Sequence, residues 1–215
     1  MNLEQARFNM VEQQIRPWDV LDPKVLDLFM AIPRHEFVAE SQQSLAYSDL
    51  ELPIGEGQTM LPPRIEGRML QAVDIEEDET VLEIGTGSGY MTALIAKSAA
   101  NVTTVEIFPS LQDIAKNRLT RFDNVEFAIG DASHNWDDGK TYDVIVLTGA
   151  VSELPVAYQQ KLNLGGRLVV TTGSAPVMTC QVMTRVSETE WETETLFETV
   201  MPSLINAEGK EVFSF

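Results

Sequence analysis

The chain has 215 residues, 44% of them hydrophobic and 22% charged, with a formal net charge of −18. That length supports one substantial core, while the charge, with no Lys/Arg cluster set against it, makes a phosphate backbone a poor partner and excludes nucleic acid. No apolar run reaches the roughly 18 residues of a membrane span, and the start MNLEQARFNMVEQQIRPW lacks the basic-then-apolar pattern of a signal peptide. Cys180 is the only cysteine, so no intramolecular disulfide is expected and the cytoplasm is the expected compartment. The acidity reads as a solvated surface.

In chain order, Leu3, Ala6, Met10, Val11 and Ile15 share a helical face that ends near Pro17. Asp22 and Pro23 are an N-cap and first-turn pair for the helix KVLDLFMAI. A Ser-, Gly- and Pro-rich stretch over 41–63 reads as a loop, after which Pro62-Pro63 opens a helix carrying Ile65, Met69, Leu70 and Val73. From residue 80 the pattern becomes strand–helix alternation: strands over 80–85, 101–107, 125–131, 142–149 and 165–173, and helices over 91–100, 110–122 and 154–162. Such alternation predicts a doubly wound α/β fold, a parallel sheet with helices on both faces. The tail segments QVMTRV and WETETLF alternate around the turn SETE, which predicts an antiparallel hairpin at the sheet edge. The division expected is an N-terminal helical part over 1–73 integrated with a ligand-binding core over 74–215.

The stretch VLEIGTGSGY lies where the first strand of this alternation meets its helix. Gly85, Gly87 and Gly89 let the chain turn tightly and let a ligand touch backbone, with Thr86 and Ser88 between them. The following helix N-terminus supplies unpaired N–H groups. Glu106 ends the next strand, where a carboxylate accepts from ribose hydroxyls, with Ile107 beside it. Asp131, followed by Ala132, ends the third strand and suits an adenine amino group. Thr148 ends the fourth. A dinucleotide fingerprint would read G-x-G-x-x-G. The tighter G-x-G-x-G spacing, with Glu83 two residues ahead to attract an ammonium through charge or water, looks like the S-adenosyl-L-methionine loop of class I methyltransferases. A nicotinamide cofactor and a purely structural turn are the alternatives.

With that loop in place, the chain resembles the protein-L-isoaspartate O-methyltransferases over nearly its whole length. YSDLELPIGEGQT (47–59) is similar to the family's Y-x-D-x-x-L-P-I-G-x-G-Q-T signature, and VLEIGTGSGY, IGDAS and LPVAYQQKLNLGGRLVV follow in the family's order. The resemblance implies a Rossmann-like seven-stranded methyltransferase sheet and an acceptor loop in which Gln58 and Thr59 fold over the cofactor. It implies methylation of isoaspartyl carboxylates in damaged proteins, with S-adenosyl-L-homocysteine as product. The family signature usually continues I-S-x-P, and here it reads Met60, Leu61, Pro62, Pro63, so the acceptor-pocket serine position is Leu61. The family's valine-proline-leucine element near the C-terminus is blurred, as VMPSLIN (200–206).

Methyl transfer to a carboxylate needs orientation and exclusion of water rather than a general base, and the sequence shows no clear base. His35 reads as a helix-terminal structural residue and His134 as a solvated loop residue. Tyr47 and Asp49 divide evenly between pocket and loop-structuring roles. Trp18, Trp136 and Cys180 read as packing residues, and no cluster has metal-ligand spacing. Three readings stand: a carboxylate methyltransferase, a methyltransferase of the same fold with another acceptor, a small molecule included, and a cofactor-binding module without catalysis. The expected partner is a protein or peptide, without nucleic acid or membrane, and the expected state is a monomer or weak oligomer.

Overall fold

The computed structural model describes residues 2–207. Helix α1 (Leu3–Met10) is capped by the Asn2 side chain, which accepts from the Gln5 N–H. It runs into a wider π-helical turn over Val11–Ile15 and a 3-10 turn over Arg16–Trp18 that holds Pro17. The helical face predicted for 3–15 is therefore present, but its last turn is not α. Helix α2 (Pro23–Ala31) starts as its sequence dictates, with the Asp22 carboxylate accepting from the Lys24 N–H at 2.8 Å and Pro23 in the first turn.

The stretch read as a loop over 41–63 contains more structure than its composition indicates. A 3-10 turn over Glu40–Leu45 leads to a small antiparallel hairpin, β1 (Leu52–Gly55) with β2 (Gln58–Met60). Its turn places Glu56 at φ 53° and Gly57 at φ 70°, both left-handed, as a tight two-residue hairpin turn demands. Helix α3 (Pro63–Val73) follows and buries Ile65, Met69, Leu70 and Val73.

The remaining chain builds one seven-stranded sheet from β3 (Thr80–Ile84), β4 (Asn101–Glu106), β5 (Val125–Ile129), β6 (Tyr142–Leu147), β7 (Leu162–Ser174), β8 (Val177–Arg185) and β9 (Trp191–Thr199). Their order is β5-β4-β3-β6-β7-β8-β9. The first five strands are parallel neighbours, while β7–β8 and β8–β9 are antiparallel. Helices α4 (Tyr90–Ser98), α5 (Pro109–Arg118) and α6 (Val156–Gln160) make the crossovers. The predicted doubly wound sheet with an antiparallel C-terminal hairpin is observed. The boundaries shift: α6 is shorter than predicted, and β7 longer, since it begins at Leu162, which pairs with Tyr142 of β6, and ends at Ser174, which pairs with Val177 of β8.

Both faces of the central strands are buried, which explains why they read as continuous apolar runs. Val81, Val144, Val146 and Val169 face a core shared with α1–α4 and the N-terminal turns, whereas Leu82, Ile84, Ile145 and Leu147 face a second core with Tyr158. The outer edge is β9, whose Glu192, Glu194 and Glu198 stand exposed, a charged rim of the kind that discourages edge-to-edge pairing. Among the described residues no helix is long and apolar enough to cross a membrane.

Candidate active site

A cleft of about 670 Å³ opens at the carboxyl ends of β3, β4, β5 and β6, where open α/β sheets bind ligands. Its floor is Ile84, Gly85 and Gly87 after β3, Glu106 to Phe108 after β4, Gly130 to Ser133 after β5, and Thr148 with Gly149 after β6. Its roof is the β1–β2 hairpin, through Ile54, Gln58, Thr59 and Leu61, and its far wall is Pro202 to Ile205. A smaller hollow of about 320 Å³ continues beneath the roof, between Met60, Leu61, Glu66, Thr86, Ser88 and Met91.

The glycine loop is shaped by what surrounds it. Gly85 has φ 97°, and a Cβ there would stand 2.3 Å from the Thr148 hydroxyl, so only glycine fits. That hydroxyl lies 2.9 Å from the Ile84 carbonyl and 2.8 Å from the Gly85 carbonyl, to which it donates. Thr148 thus fixes the loop from the neighbouring strand as well as lining the cleft.

Glu106 is 5% exposed. One carboxylate oxygen accepts from the Gly87 N–H at 2.8 Å, and the other accepts from the N–H groups of Ile107 and Phe108 at 3.0 and 3.1 Å. A carboxylate offers about four acceptor positions, so capacity for a hydroxyl donor remains on a group already locked in place. Asp131 is more open. One of its oxygens accepts from the Ser133 N–H at 2.9 Å and the other from the Asn206 amide at 2.8 Å. The Ser133 N–H bond is the main influence that holds its carboxyl below the usual range.

Glu83 does not reach the cleft, contrary to the sequence expectation. Side chains alternate along a strand, and β3 turns Ile84 toward the cleft while Glu83 packs between β4 and α4. It is fully buried, and one of its oxygens accepts from the hydroxyls of Thr92 and Thr104 at 2.5 and 2.6 Å. Thr104 is in turn 2.7 Å from the Thr86 hydroxyl of the glycine loop. The other Glu83 oxygen has no partner, and burial pushes this carboxyl up to about 8. Burial thus favours the neutral form of Glu83, which anchors the loop from beneath.

The roof rests on a buried ion pair. Arg34, wholly buried, donates to the Glu66 carboxylate and to the Leu61 carbonyl, with its guanidinium 4.9 Å from the Tyr90 ring centre. Burial outweighs the opposing pull of the Arg34 guanidinium and raises the Glu66 carboxyl to about 7. At the tip of the roof, Glu56 accepts from the Ser110 hydroxyl at 2.6 Å, so the hairpin is fastened across the cleft to the first turn of α5.

A family model described as Protein-L-isoaspartate(D-aspartate) O-methyltransferase matches residues 5–207. The chain belongs to this family. A protein-L-isoaspartate O-methyltransferase of Syntrophus aciditrophicus is 40% identical over 187 residues, 86% of each chain. Protein-L-isoaspartate O-methyltransferase 1 of Geotalea uraniireducens is 37% identical over 211 residues, covering 97% of this chain and 96% of that one. A solved protein-L-isoaspartate O-methyltransferase superposes with TM-score 0.78 at 25% identity, over 92% of this chain and 65% of that chain. The fold is also shared, at 18% identity and TM-score 0.77, with a Plasmodium falciparum protein solved in complex with S-adenosyl-L-homocysteine, over 95% of this chain and 98% of that one.

Within this family fold, the cleft brings together Gln58, Thr59, Leu61, Gly85, Gly87, Glu106, Ile107, Asp131, Ala132 and Thr148 of the predicted residues. Thr86 and Ser88 face the adjoining hollow instead. Gly89, at φ 84°, begins α4, and a Cβ there would lie 3.1 Å from Ala115 and Leu119, so its part is in packing. Tyr47 and Asp49 belong to the scaffold: the Tyr47 hydroxyl is 2.7 Å from His35 Nδ1, and Asp49 pairs with Arg64. Arg64 also lies over Trp18, Trp136 covers Gly130, and Cys180 is buried. Sequence reading passed over Arg34, Glu56 and Ser110. The segment VMPSLIN, which the family resemblance marks as part of the acceptor site, supplies Pro202 to Ile205 of the cleft wall.

Proposed function

We propose that this chain is an S-adenosyl-L-methionine-dependent methyltransferase that esterifies the free carboxylate of L-isoaspartyl residues in proteins or peptides. The observation that carries the reading is the convergence of the glycine loop, Glu106 and Asp131 on one cleft in a chain of this family. The donor set fits the cofactor. Glu106 retains acceptor capacity for ribose hydroxyls, Asp131 for an exocyclic amino group, and the bare backbone at Gly85 and Gly87 admits close approach. When bound, the cofactor supplies an electrophilic methyl group on a sulfonium.

The chain's residues then have three tasks. Glu106 and Asp131 orient the donor. The β1–β2 roof excludes water, through Gln58, Thr59 and Leu61. Thr148 and Gly149 hold the strand end beside which the acceptor approaches. An isoaspartyl carboxylate is already anionic, so no protein base is required, and none of the cleft residues is a histidine or lysine. The protein works in the cytoplasm, a reading supported by its single buried cysteine, and its acidity argues against a nucleic-acid role.

The side chain of Leu61 favours a second reading. It lines the cleft next to Thr59, where it offers an acceptor no hydrogen bond, and with Met60 it suits a greasier acceptor. The test is incubation with labelled S-adenosyl-L-methionine and an isoaspartyl peptide, followed by assay for base-labile methyl ester or released methanol. Methanol release supports the first reading. Cofactor binding without release, together with a gain of release in Leu61→Ser, would move the assignment to the second, whereas no gain in that variant would show that Leu61 does not contact the acceptor.

A further inference from the structure

The segment after β9 crosses the cleft and is laced to the loop after β6. The Ala150 N–H donates to the Pro202 carbonyl at 2.9 Å, the Leu204 N–H to the Ala150 carbonyl at 2.8 Å, and the Ser152 N–H to the Ala207 carbonyl at 3.2 Å. Leu204 sits directly on Gly149, where a Cβ would be 2.7 Å from its Cδ2. This places Ser203 and Leu204 in the wall beside Thr148.

Asn206 then adopts φ 67°, a left-handed conformation that disfavours side chains, though Asn least among the non-glycine residues. From there its amide reaches Asp131, 75 residues away in sequence. A disfavoured backbone conformation is thereby spent on one contact, and that contact is made to the carboxylate assigned to the adenine amino group. Two of the roughly four acceptor positions of Asp131 are filled by Ser133 and Asn206, which leaves room for a further donor.

We propose that Asn206 is a positioning residue that couples the two ends of the cleft: by holding Asp131 it makes the wall at Ser203 and Leu204 close in response to the cofactor. The inference rests on the reading of the cleft as an S-adenosyl-L-methionine site. A donor bound to Asp131 fixes that carboxylate, the fixed carboxylate holds Asn206, and the segment from 202 to 206 is held with it. By linkage, whatever the cofactor does for the wall, the wall does for cofactor affinity.

The discriminating variant is Asn206→Gly, which keeps the left-handed backbone without steric cost and removes only the amide. Hydrogen exchange is followed at the Ala150 and Leu204 amides and in the loop from Gly85 to Gly89, with and without S-adenosyl-L-homocysteine, and affinity is measured by calorimetry. In the unaltered protein the product cofactor slows exchange at both places. In Asn206→Gly the loop is still protected, the added protection at Ala150 and Leu204 is lost, and the dissociation constant rises about three- to tenfold. The melting temperature without ligand stays the same, which separates coupling from a general loss of structure. Asn206→Asp, which sets a second carboxylate against Asp131, weakens binding further. Full protection at Ala150 and Leu204 in Asn206→Gly, with unchanged affinity, overturns the coupling alone. Failure of the unaltered protein to bind the product cofactor overturns the reading of the cleft and the coupling with it.

Discussion

Arg34 and Glu66 form an ion pair sealed from solvent, and the same guanidinium holds the carbonyl of Leu61 in the roof of the cleft. A buried pair of this kind is a weak source of net stability, but loss of one partner leaves the other charge stranded. Arg34→Met is therefore expected to cost about 3–5 kcal/mol in urea denaturation, and to weaken cofactor binding because Leu61 loses its fixed carbonyl. Arg34→Met with Glu66→Leu should regain most of the stability and little of the binding. A loss under about 1 kcal/mol for the single variant would contradict the burial of the pair.

Glu83 gives stability a pH dependence. Its carboxyl is pushed up to about 8 in the folded chain from an ordinary value of 4.5, so the folded state holds this proton more tightly than the unfolded one. Its contribution to stability is complete below about 4.5, declines as pH rises, and is gone above about 8. Denaturation at several pH values in that window should show a falling trend in the wild type that is shallower in Glu83→Gln by up to about 5 kcal/mol over the whole range. Parallel trends for the two proteins would show that Glu83 is ionised when folded.

The Glu56–Ser110 bond fastens the roof from an exposed position, so its effect should be kinetic and small. Ser110→Ala and Glu56→Gln are each expected to speed release of S-adenosyl-L-homocysteine about two- to fivefold, in line with an exposed hydrogen bond worth about 0.5–1 kcal/mol. The check is stopped-flow displacement, with melting temperature unchanged. Additive effects in the double variant would show that the two side chains do not act as a pair.

Gly85→Ala meets two obstacles at once, the φ of 97° and the Thr148 hydroxyl 2.3 Å from the new Cβ. The left-handed backbone alone costs about 1–2 kcal/mol, and displacement of Thr148 opens the loop. Calorimetry should show cofactor affinity reduced by more than about tenfold. Gly165→Ala, also at positive φ but with no atom within 4 Å of its Cβ, should lose stability and keep affinity.

The floor of the cleft was legible because strand–helix alternation puts glycines and carboxylates at the strand ends, and Glu106 and Asp131 follow from that periodicity alone. The same periodicity, of two residues, was overlooked for Glu83, which turns away from the face that Ile84 presents. The roof was hidden by its composition. Glu56 is the first residue of a tight hairpin turn at φ 53°, a place where Asn or Asp would have announced a turn and Glu does not. Arg34 and Asn206 act through partners 32 and 75 residues distant, and a pairing of that range leaves no pattern in either segment.

The roof comes from residues 54–61 and the far wall from 202–205, so the cleft is walled by segments near opposite ends of the described chain. Synthesis from the N-terminus therefore delivers the glycine loop and both carboxylates long before the pocket can be closed. A nascent chain that has just completed β6 holds the floor of the site and only one of its walls. Cofactor binding can reward folding only after β9 has been laid along the sheet edge and the segment beyond it has crossed the mouth. Until then the five parallel strands must hold together by their own apolar faces, with slow, long-range pairing as the expected bottleneck.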